Sequence, residues 1–267
     1  MALNWINVEE YSFNSLLLLE RFQIRLLCSM CGSDNTERRQ HLGIALHSNP
    51  AVAWYLQHRC PECAEYVEQL IADTTNDGNE ETVRNSECAV IGMIEDFILY
   101  TTPERMDTSC SFIYGWERSR LFELADFKDK VVLDVGAGSG RLAFAAAEQA
   151  GEVYASEPVE RLREYLRDTI IQKGISNIRV VDGMAHSLPY PDDSFDIVMS
   201  GHVVGDDFDN EIAELTRVVK NGGFLIDCPG EDPVLPSEEL RKRGWDEFVY
   251  ESKFGGYVYR YRKQIVK

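Results

Sequence analysis

The residues best suited to chemistry lie at the end of a short apolar run, where an aspartate precedes three alternating glycines. Residues 131–135 read VVLDV, and residues 136–140 read GAGSG. Missing side chains let the backbone come close to a ligand, and the start of a following helix offers free N–H groups. Glu157 stands at the end of the next apolar run, where a carboxylate can accept hydrogen bonds from both hydroxyls of an adenosine ribose.

The glycine spacing argues against a dinucleotide and in favour of a cationic ligand. The spacing is G-x-G-x-G, whereas dinucleotide dehydrogenases prefer G-x-G-x-x-G. Asp134 stands two residues before the first glycine, and its carboxylate can accept a hydrogen bond from an ammonium group, which a pyrophosphate lacks. A ligand with adenosine, a positive amino-acid-like tail and no pyrophosphate is S-adenosylmethionine.

The elements that must position these residues alternate between strand and helix from Phe127 onward. Strand–helix alternation with short links predicts an α/β domain with parallel strands, right-handed crossovers and helices on both faces. Two closing strands, at 246–252 and 257–265, are joined tightly and must be antiparallel to each other. The other strands are predicted at residues 131–135, 152–156, 177–181, 195–200 and 222–228. Helices are predicted at residues 139–150, 158–173, 210–220 and 237–244.

Four motifs in this part of the chain resemble those of the class I S-adenosylmethionine-dependent methyltransferases. The resemblance is to the broad type 11 branch that includes the ubiquinone/menaquinone-biosynthesis methyltransferases. The stretches that carry it are VLDVGAGSGRLAF, SEPV, DGMAHSLPYPDDSFDIVMSGHVV and LTRVVKNGGFLI. The resemblance implies a Rossmann-like seven-stranded sheet, with S-adenosylmethionine as the methyl donor.

The resemblance also assigns residues to the cofactor. Asp134 and Gly136 fall where the family binds the methionine end, and Glu157 falls at the ribose. Met184 occupies a position where many relatives carry an aspartate at the adenine, so we expect Asp182 or a backbone carbonyl to accept from the adenine amine. The complete expected set is Asp134, Gly136, Ala137, Gly138, Gly140, Glu157, Pro158, Asp182, Met184, Ala185 and Ser200.

His202 is the candidate catalytic residue, because the end of the fourth strand is where the methyl group should face its acceptor. Its ordinary pKa suits proton abstraction near neutrality, so it can serve as a general base or orient the acceptor. A histidine without a chemical role is the alternative, since alignment and desolvation can supply most of the acceleration for an activated donor. Tyr114 and Trp116 are expected to close over the cofactor and substrate, or simply to pack on an amphipathic helix.

Residues 1–108 predict a small all-α domain that precedes the methyltransferase domain of residues 109–267. Helices are predicted at 13–30, 50–58, 61–73 and 80–100, with polar breaks between them. Asn49 and Pro50 form a helix start of the usual kind. We expect this domain to carry or cover the acceptor site.

Two C-x-x-C pairs in the helical domain suggest a metal. Cys28, Cys31, Cys60 and Cys63 can place four thiolates tetrahedrally around zinc, although the gap between the pairs exceeds the usual zinc-ribbon spacing. Buried free thiols, a redox pair and an iron–sulfur centre are the alternatives. Three histidines are alternative zinc ligands: His41, His47 and His58.

The net charge of −18 bears on the acceptor and on partners. Both halves of the chain are acidic, whereas a nucleic-acid binder needs a basic footprint, so a small-molecule acceptor is expected. No apolar run is long enough to span a membrane, and the N-terminus lacks the features of a signal peptide, which predicts a cytoplasmic protein. Three rival functions stay open: an S-adenosylmethionine-binding module that docks a protein partner, a protein methyltransferase and a dinucleotide oxidoreductase. The oligomeric state cannot be read from the sequence.

Overall fold

The computed structural model describes residues 6–32, 34–75, 78–95, 97, 102–109, 117–205, 207–230, 235–253 and 255–267. The chain divides into two compact units, Met1–Arg105 and Met106–Lys267. The N-terminal unit has a hydrophobic core of its own, and the C-terminal unit has two, one on each face of a sheet. The predicted lid residues, Tyr114 and Trp116, lie outside the described residues.

The N-terminal unit consists of α-helices joined by short 3-10 helices. Its core contains leucine and isoleucine side chains from all five α-helices and the four paired cysteines. The helices are α1 (Arg21–Met30), α2 (Thr36–Ser48), α3 (Pro50–Arg59), α4 (Ala64–Asp73) and α5 (Glu80–Met93). The 3-10 helices are Val8–Glu10, Phe13–Leu18 and Pro61–Cys63. A sixth helix, α6 (Pro103–Ser109), spans the boundary between the units.

The sequence prediction missed helix α2 and merged two helices into one. Residues 42–46 of α2 are all buried, so this segment shows no alternation between polar and apolar faces from which a helix could be recognised. The helix predicted over 13–30 is interrupted at Glu20. The Glu20 backbone N–H donates to the Gln23 side chain at 2.9 Å in a capping box, so that α1 begins at Arg21.

The C-terminal unit contains the seven-stranded sheet that the sequence predicts. The strand order is β3-β2-β1-β4-β5-β7-β6. The first five strands are parallel, and β7 is antiparallel to both of its neighbours. The bounds are β1 (Val131–Val135), β2 (Glu152–Ser156), β3 (Ile178–Val181), β4 (Phe195–Ser200), β5 (Val219–Gly230), β6 (Asp246–Glu251) and β7 (Tyr257–Gln264). The predicted α/β, Rossmann-like class is therefore confirmed.

Helices cover both faces of this sheet. Apolar residues of α7 pack on one face with the 3-10 helix Arg118–Leu121, and those of α9 and α10 pack on the other. The helices are α7 (Arg141–Ala146), α8 (Glu160–Lys173), α9 (Phe208–Val218) and α10 (Ser237–Lys242). The loops that follow β1, β2, β3 and β4 all leave the carboxyl edge of the sheet, where open α/β sheets bind ligands. Among the described helices, none has both the length and the apolar character needed to span a bilayer.

Candidate functional site

The glycine loop after β1 has no room for a side chain at its first and last glycines, Gly136 and Gly140. Gly136 has a φ of +65°, and a Cβ atom there would lie 2.3 Å from a methyl carbon of Val203. Gly140 has a φ of +95° and caps the N-terminus of α7. The Ala137 N–H donates to the carbonyl of Ser156 at 3.0 Å, so the loop is attached to the end of β2. The bare backbone therefore faces the space beyond the carboxyl ends of β1 and β2.

Glu157 fastens this loop from the end of β2. One carboxylate oxygen accepts from the Gly138 N–H at 2.9 Å, and the other accepts from the Val159 N–H at 2.8 Å. The side chain is buried, with 4% of the residue exposed. Each carboxylate oxygen has a second lone pair, so Glu157 can also accept from a ribose hydroxyl. The sequence suggested only the ribose contact, and the attachment to the loop became evident from the structure.

Pro158 does not occupy the first turn of a helix, as the sequence suggested. Helix α8 begins at Glu160 with Val159 as its N-cap residue, so Pro158 precedes the cap. The reason is the hydrogen bond from the Val159 N–H to the Glu157 carboxylate, which holds these residues in a turn. Pro158 is half-buried beside Glu157, and its place in the cofactor site stays a prediction.

Asp134 presents a buried carboxylate oxygen at the carboxyl end of β1. The residue is 1% exposed, and its Oδ2 atom has no hydrogen-bond partner among the residues that the structure describes. Burial raises the pKa of Asp134 to about 8, whereas the nearby Arg141 guanidinium acts to lower it. A buried polar atom without a partner is costly, so this oxygen suits a ligand that brings a donor. The ammonium group of S-adenosylmethionine is such a donor.

Asp182, Met184 and Ala185 follow β3. The Asp182 side chain is 73% exposed and forms an ion pair with Arg163 at 3.3 Å. Arg163 also donates to the Glu157 carbonyl at 2.7 Å and so links the ends of β2 and β3, a role that the sequence analysis missed. Met184 and Ser187 exchange two backbone hydrogen bonds in a tight turn, which also contains the half-buried Ala185. The structure thus brings these residues to the same sheet edge as Glu157.

Ser200, at the end of β4, is paired with a buried acid that the sequence analysis did not single out. Its hydroxyl donates to Asp227 Oδ1 at 2.8 Å, and neither side chain is appreciably exposed. Burial raises the pKa of Asp227 to about 7, while the Ser200 hydrogen bond opposes this shift. The Ser200 oxygen can still accept a hydrogen bond, but its own proton is engaged.

His202 lies just beyond β4 in a left-handed conformation with a φ of +60°, which is uncommon for a residue other than glycine. Its ring lies against Gly230, where a Cβ atom would approach the imidazole to 2.6 Å. The ring keeps contact with solvent, yet desolvation by the surrounding protein and the nearby Arg141 charge lower its pKa to about 3. His202 is therefore neutral at physiological pH, and a pKa this low makes its imidazole a weak base, which favours an orienting role over proton abstraction.

We expect the His202 imidazole to stay neutral throughout the physiological range. A depressed pKa means that protonation occurs only in acid, so its ring resonances in an NMR titration should not shift between pH 8 and pH 5. The variant His202→Asn, whose side chain tolerates a positive φ, identifies the resonance by its disappearance. A midpoint near 6.5, the ordinary value for histidine, would restore the general base as the better interpretation.

Helix α9 fastens the loops on both sides of β4. Arg217 donates to the carbonyls of Leu188 and Tyr190 at 3.1 and 2.8 Å, in the loop before β4. Glu211 accepts from the Gly205 N–H at 2.7 Å, in the loop after β4. Both side chains belong to the same helix, and neither role was visible in its amphipathic pattern alone.

The two C-x-x-C pairs of the N-terminal unit come together in its core. The Sγ atoms of Cys60 and Cys63 lie 3.4 Å apart, and Cys28 lies close enough to Cys60 and Cys63 for these thiols to raise its pKa. Cys31 lies within electrostatic reach of Cys28, and all four residues are buried. Across the described part of the chain, no three or more His, Cys, Asp or Glu side chains are already arranged as a metal-ion site.

The alternative histidine ligands are occupied or exposed elsewhere. His41 Nδ1 lies 3.2 Å from the Ser86 hydroxyl, and His58 Nδ1 lies 2.7 Å from the Trp54 carbonyl. The His58 ring also stacks on the Trp54 ring, with 4.1 Å between centroids. His47 is exposed at the end of α2. The cysteines are therefore the better candidate ligands.

Comparison with known proteins shows that the C-terminal unit is similar to methyltransferases. Residues 133–227 match the model of a protein family described as a methyltransferase domain. An uncharacterized methyltransferase of Bacillus subtilis, YcgJ, is 37% identical over 123 residues, which are 44% of this chain and 45% of that protein. The demethylmenaquinone methyltransferase of Geobacillus kaustophilus is 30% identical over 139 residues, which are 49% of this chain and 59% of that protein.

A solved structure shows the same architecture. The crystal structure of an S-adenosylmethionine-dependent methyltransferase from Aquifex aeolicus superposes with a TM-score of 0.50 at 22% identity, covering 62% of this chain and 98% of that one. Residues 133–227 therefore match a methyltransferase domain, and the C-terminal unit has the class I methyltransferase fold, as the sequence motifs predicted. The chain spans only about half the length of the curated relatives it matches.

Proposed function

We propose that this protein transfers a methyl group from S-adenosylmethionine to a small-molecule acceptor and releases S-adenosylhomocysteine. The observation that carries the proposal is the buried Asp134 oxygen without a partner among the described residues, at the end of the strand that leads into the glycine loop. That loop is held by Glu157 at the next strand end. A cationic amine and an adenosine ribose match these two carboxylates.

S-adenosylmethionine supplies an activated methyl group on a sulfonium centre. Within this chain, Asp134 would bind the amino group, and Glu157 would accept from the ribose hydroxyls while it keeps the loop closed. Met184 and Ala185 would cover the adenine. His202, whose low pKa makes it a weak base, would orient the acceptor through a hydrogen bond rather than remove its proton. Catalysis would then rest mainly on alignment and exclusion of water.

The charge of the chain and the identity of its relatives support a small acceptor. A net charge of −18 disfavours nucleic acids, which need a basic surface. Among the relatives, the Geobacillus protein is named a demethylmenaquinone methyltransferase, so a small aromatic acceptor is a reasonable first candidate. The role of the N-terminal unit as a cover for the acceptor site stays a prediction.

Binding calorimetry with S-adenosylmethionine, S-adenosylhomocysteine and NAD tests the cofactor. We expect both sulfur nucleosides to bind with micromolar affinity, the product at least as tightly as the donor, and NAD not to bind. Binding of NAD alone would contradict the proposal and favour the oxidoreductase. Binding of S-adenosylmethionine without methyl transfer to any component of a metabolite extract would favour a sensing module. Transfer to proteins in a desalted lysate would instead indicate a protein methyltransferase.

A further inference from the structure

We propose that the N-terminal unit binds one zinc ion through the thiolates of Cys28, Cys31, Cys60 and Cys63. This inference goes beyond the methyl-transfer proposal, since the four cysteines belong to the N-terminal unit and the proposed cofactor residues belong to the C-terminal unit. The cysteine spacing raised this possibility, and the folded arrangement supplies the physical argument for it.

Two chain segments that are distant in sequence bring the thiols together. Cys28 lies in the last turn of α1, and Cys31 is the residue that ends that helix. Cys60 and Cys63 flank the 3-10 turn between α3 and α4, where the Cys63 N–H donates to the Cys60 carbonyl at 2.9 Å. The end of α1 and the turn before α4 thus bring all four cysteines into one hydrophobic core.

The sulfur distances suit a shared metal better than a disulfide. The Cys60 and Cys63 sulfurs are 3.4 Å apart. Bonds of about 2.3 Å in a tetrahedral zinc site separate neighbouring sulfurs by roughly 3.8 Å. A disulfide needs about 2.05 Å. Cys60 and Cys63 thus already form an adjacent pair, and binding needs the side chains of Cys28 and Cys31, which lie in the same core, to move toward this pair.

The surroundings can compensate the charge of a tetrathiolate site. Zinc with four thiolates carries a net charge of −2, which requires donors and cations nearby. Arg21 donates to Glu62 at 2.8 Å and also reaches the Cys60 side chain. Arg38 lies within electrostatic reach of Cys31.

Neighbouring groups also fix the ligand backbone. The Tyr66 hydroxyl donates to the Cys31 carbonyl, and the Arg39 guanidinium lies over the Tyr66 ring at 5.5 Å from its centroid. Cys63 caps the N-terminus of α4, and the positive end of a helix favours a thiolate. These contacts resemble the outer shell that orients metal ligands in proteins.

The binding step balances without an oxidant or a reductant. Four thiol S–H bonds break and four sulfur–zinc bonds form, and four protons pass to the solvent as the ion enters. Because the four ligands join α1 to the turn before α4, binding would close a long loop and stabilise the folded unit.

Metal analysis of the full chain, purified without chelators under reducing conditions, tests this proposal. We expect about one zinc per chain, and a Cys60→Ser, Cys63→Ser double variant should lose it. The matched control is Cys88→Ser, a half-buried cysteine on α5 of the same unit, which should keep the zinc and the melting temperature of the parent. If the double variant does not fold, cobalt added to chelator-treated parent protein provides a second readout. Absorption bands of tetrahedral thiolate-bound cobalt, displaced by one equivalent of zinc, support the proposal.

Three outcomes would overturn it. The first is a parent chain that contains no zinc and gives no cobalt spectrum. The second is iron in place of zinc, and the third is zinc that persists in the double variant. Calorimetry with S-adenosylmethionine on the same samples separates this proposal from the methyl-transfer one. If the parent protein is purified without zinc and still binds S-adenosylmethionine, only the zinc proposal is rejected. If it contains zinc but binds no S-adenosylmethionine, only the methyl-transfer proposal is rejected.

Discussion

Replacing Glu157 with alanine is expected to weaken S-adenosylmethionine binding by about 100-fold or more and to lower the melting temperature as well. The ribose would lose hydrogen bonds to a charged acceptor, each worth about 1.5–3 kcal/mol, and a factor of ten corresponds to about 1.4 kcal/mol. The same change leaves the N–H groups of Gly138 and Val159 without their acceptor, so the glycine loop loosens before any ligand arrives. Calorimetric titration gives the affinity, and differential scanning calorimetry gives the melting temperature.

The matched control is Glu152→Ala, which removes a glutamate from the opposite end of the same strand. Glu152 forms an ion pair with Arg179 at 3.2 Å near the surface, and such pairs contribute little. Its affinity for S-adenosylmethionine should equal that of the parent. A Glu157→Ala protein that melts earlier but binds the cofactor normally would show that Glu157 supports the loop and does not contact the ribose.

The affinity for S-adenosylmethionine should fall as the pH is lowered from 8 to 6, by up to about tenfold per pH unit. With no ligand bound, burial raises the pKa of Asp134 to about 8, so the carboxyl is mostly protonated at pH 6. An ammonium group binds the ionised carboxylate. Below pH 8 the Asp134 carboxyl is mostly protonated and must release its proton before it can bind the ammonium group. Binding therefore becomes stronger as the pH rises toward 8. Above that value the amino group of the ligand itself loses its proton, and the gain ends.

The variant Asp134→Asn isolates this effect, because an amide has nearly the same shape but does not titrate. It should bind more weakly at pH 8 and show no dependence on pH between 6 and 7.5. Asp182→Asn, which alters an exposed carboxylate on the next loop, should keep the dependence of the parent protein. Equal slopes in the parent and in Asp134→Asn would mean that another group controls the titration and that Asp134 does not bind the amine.

The strands and their order could be predicted because each buried parallel strand forms a continuous apolar run bounded by glycine or polar turns. The N-terminal helices were harder to predict, as α2 shows: its segment 42–46 is buried on all sides and has no polar face to reveal the helical period. Pro158 was predicted in the first turn of a helix because proline favours that position. In the structure the Glu157 side chain accepts a hydrogen bond from the Val159 N–H, and the helix begins two residues later, at Glu160.

The candidate site could be proposed from the sequence where one residue type suits one ligand group, as with Asp134 and Glu157, and these assignments stay predictions. Residues that hold the loops in place, rather than contact a ligand, could not be recognised from the sequence. Arg163 and Arg217 look like ordinary charged positions on amphipathic helices, and their contacts with backbone carbonyls arise only when distant segments fold together. The low pKa of His202 is a similar case, because it depends on desolvation by neighbours that are far away in the chain.

The contacts of helix α9 have a consequence for how the sheet edge opens. Arg217 holds the loop before β4, and Glu211 holds the loop after it. Neither loop can leave the sheet edge without breaking a bond to the same helix, whose apolar face is packed in the core. The two loops and α9 thus form one cooperative opening unit rather than two independent flaps. Sequence change that adapts the protein to a new acceptor is better tolerated in loops outside this unit, where it does not loosen the frame of the cofactor.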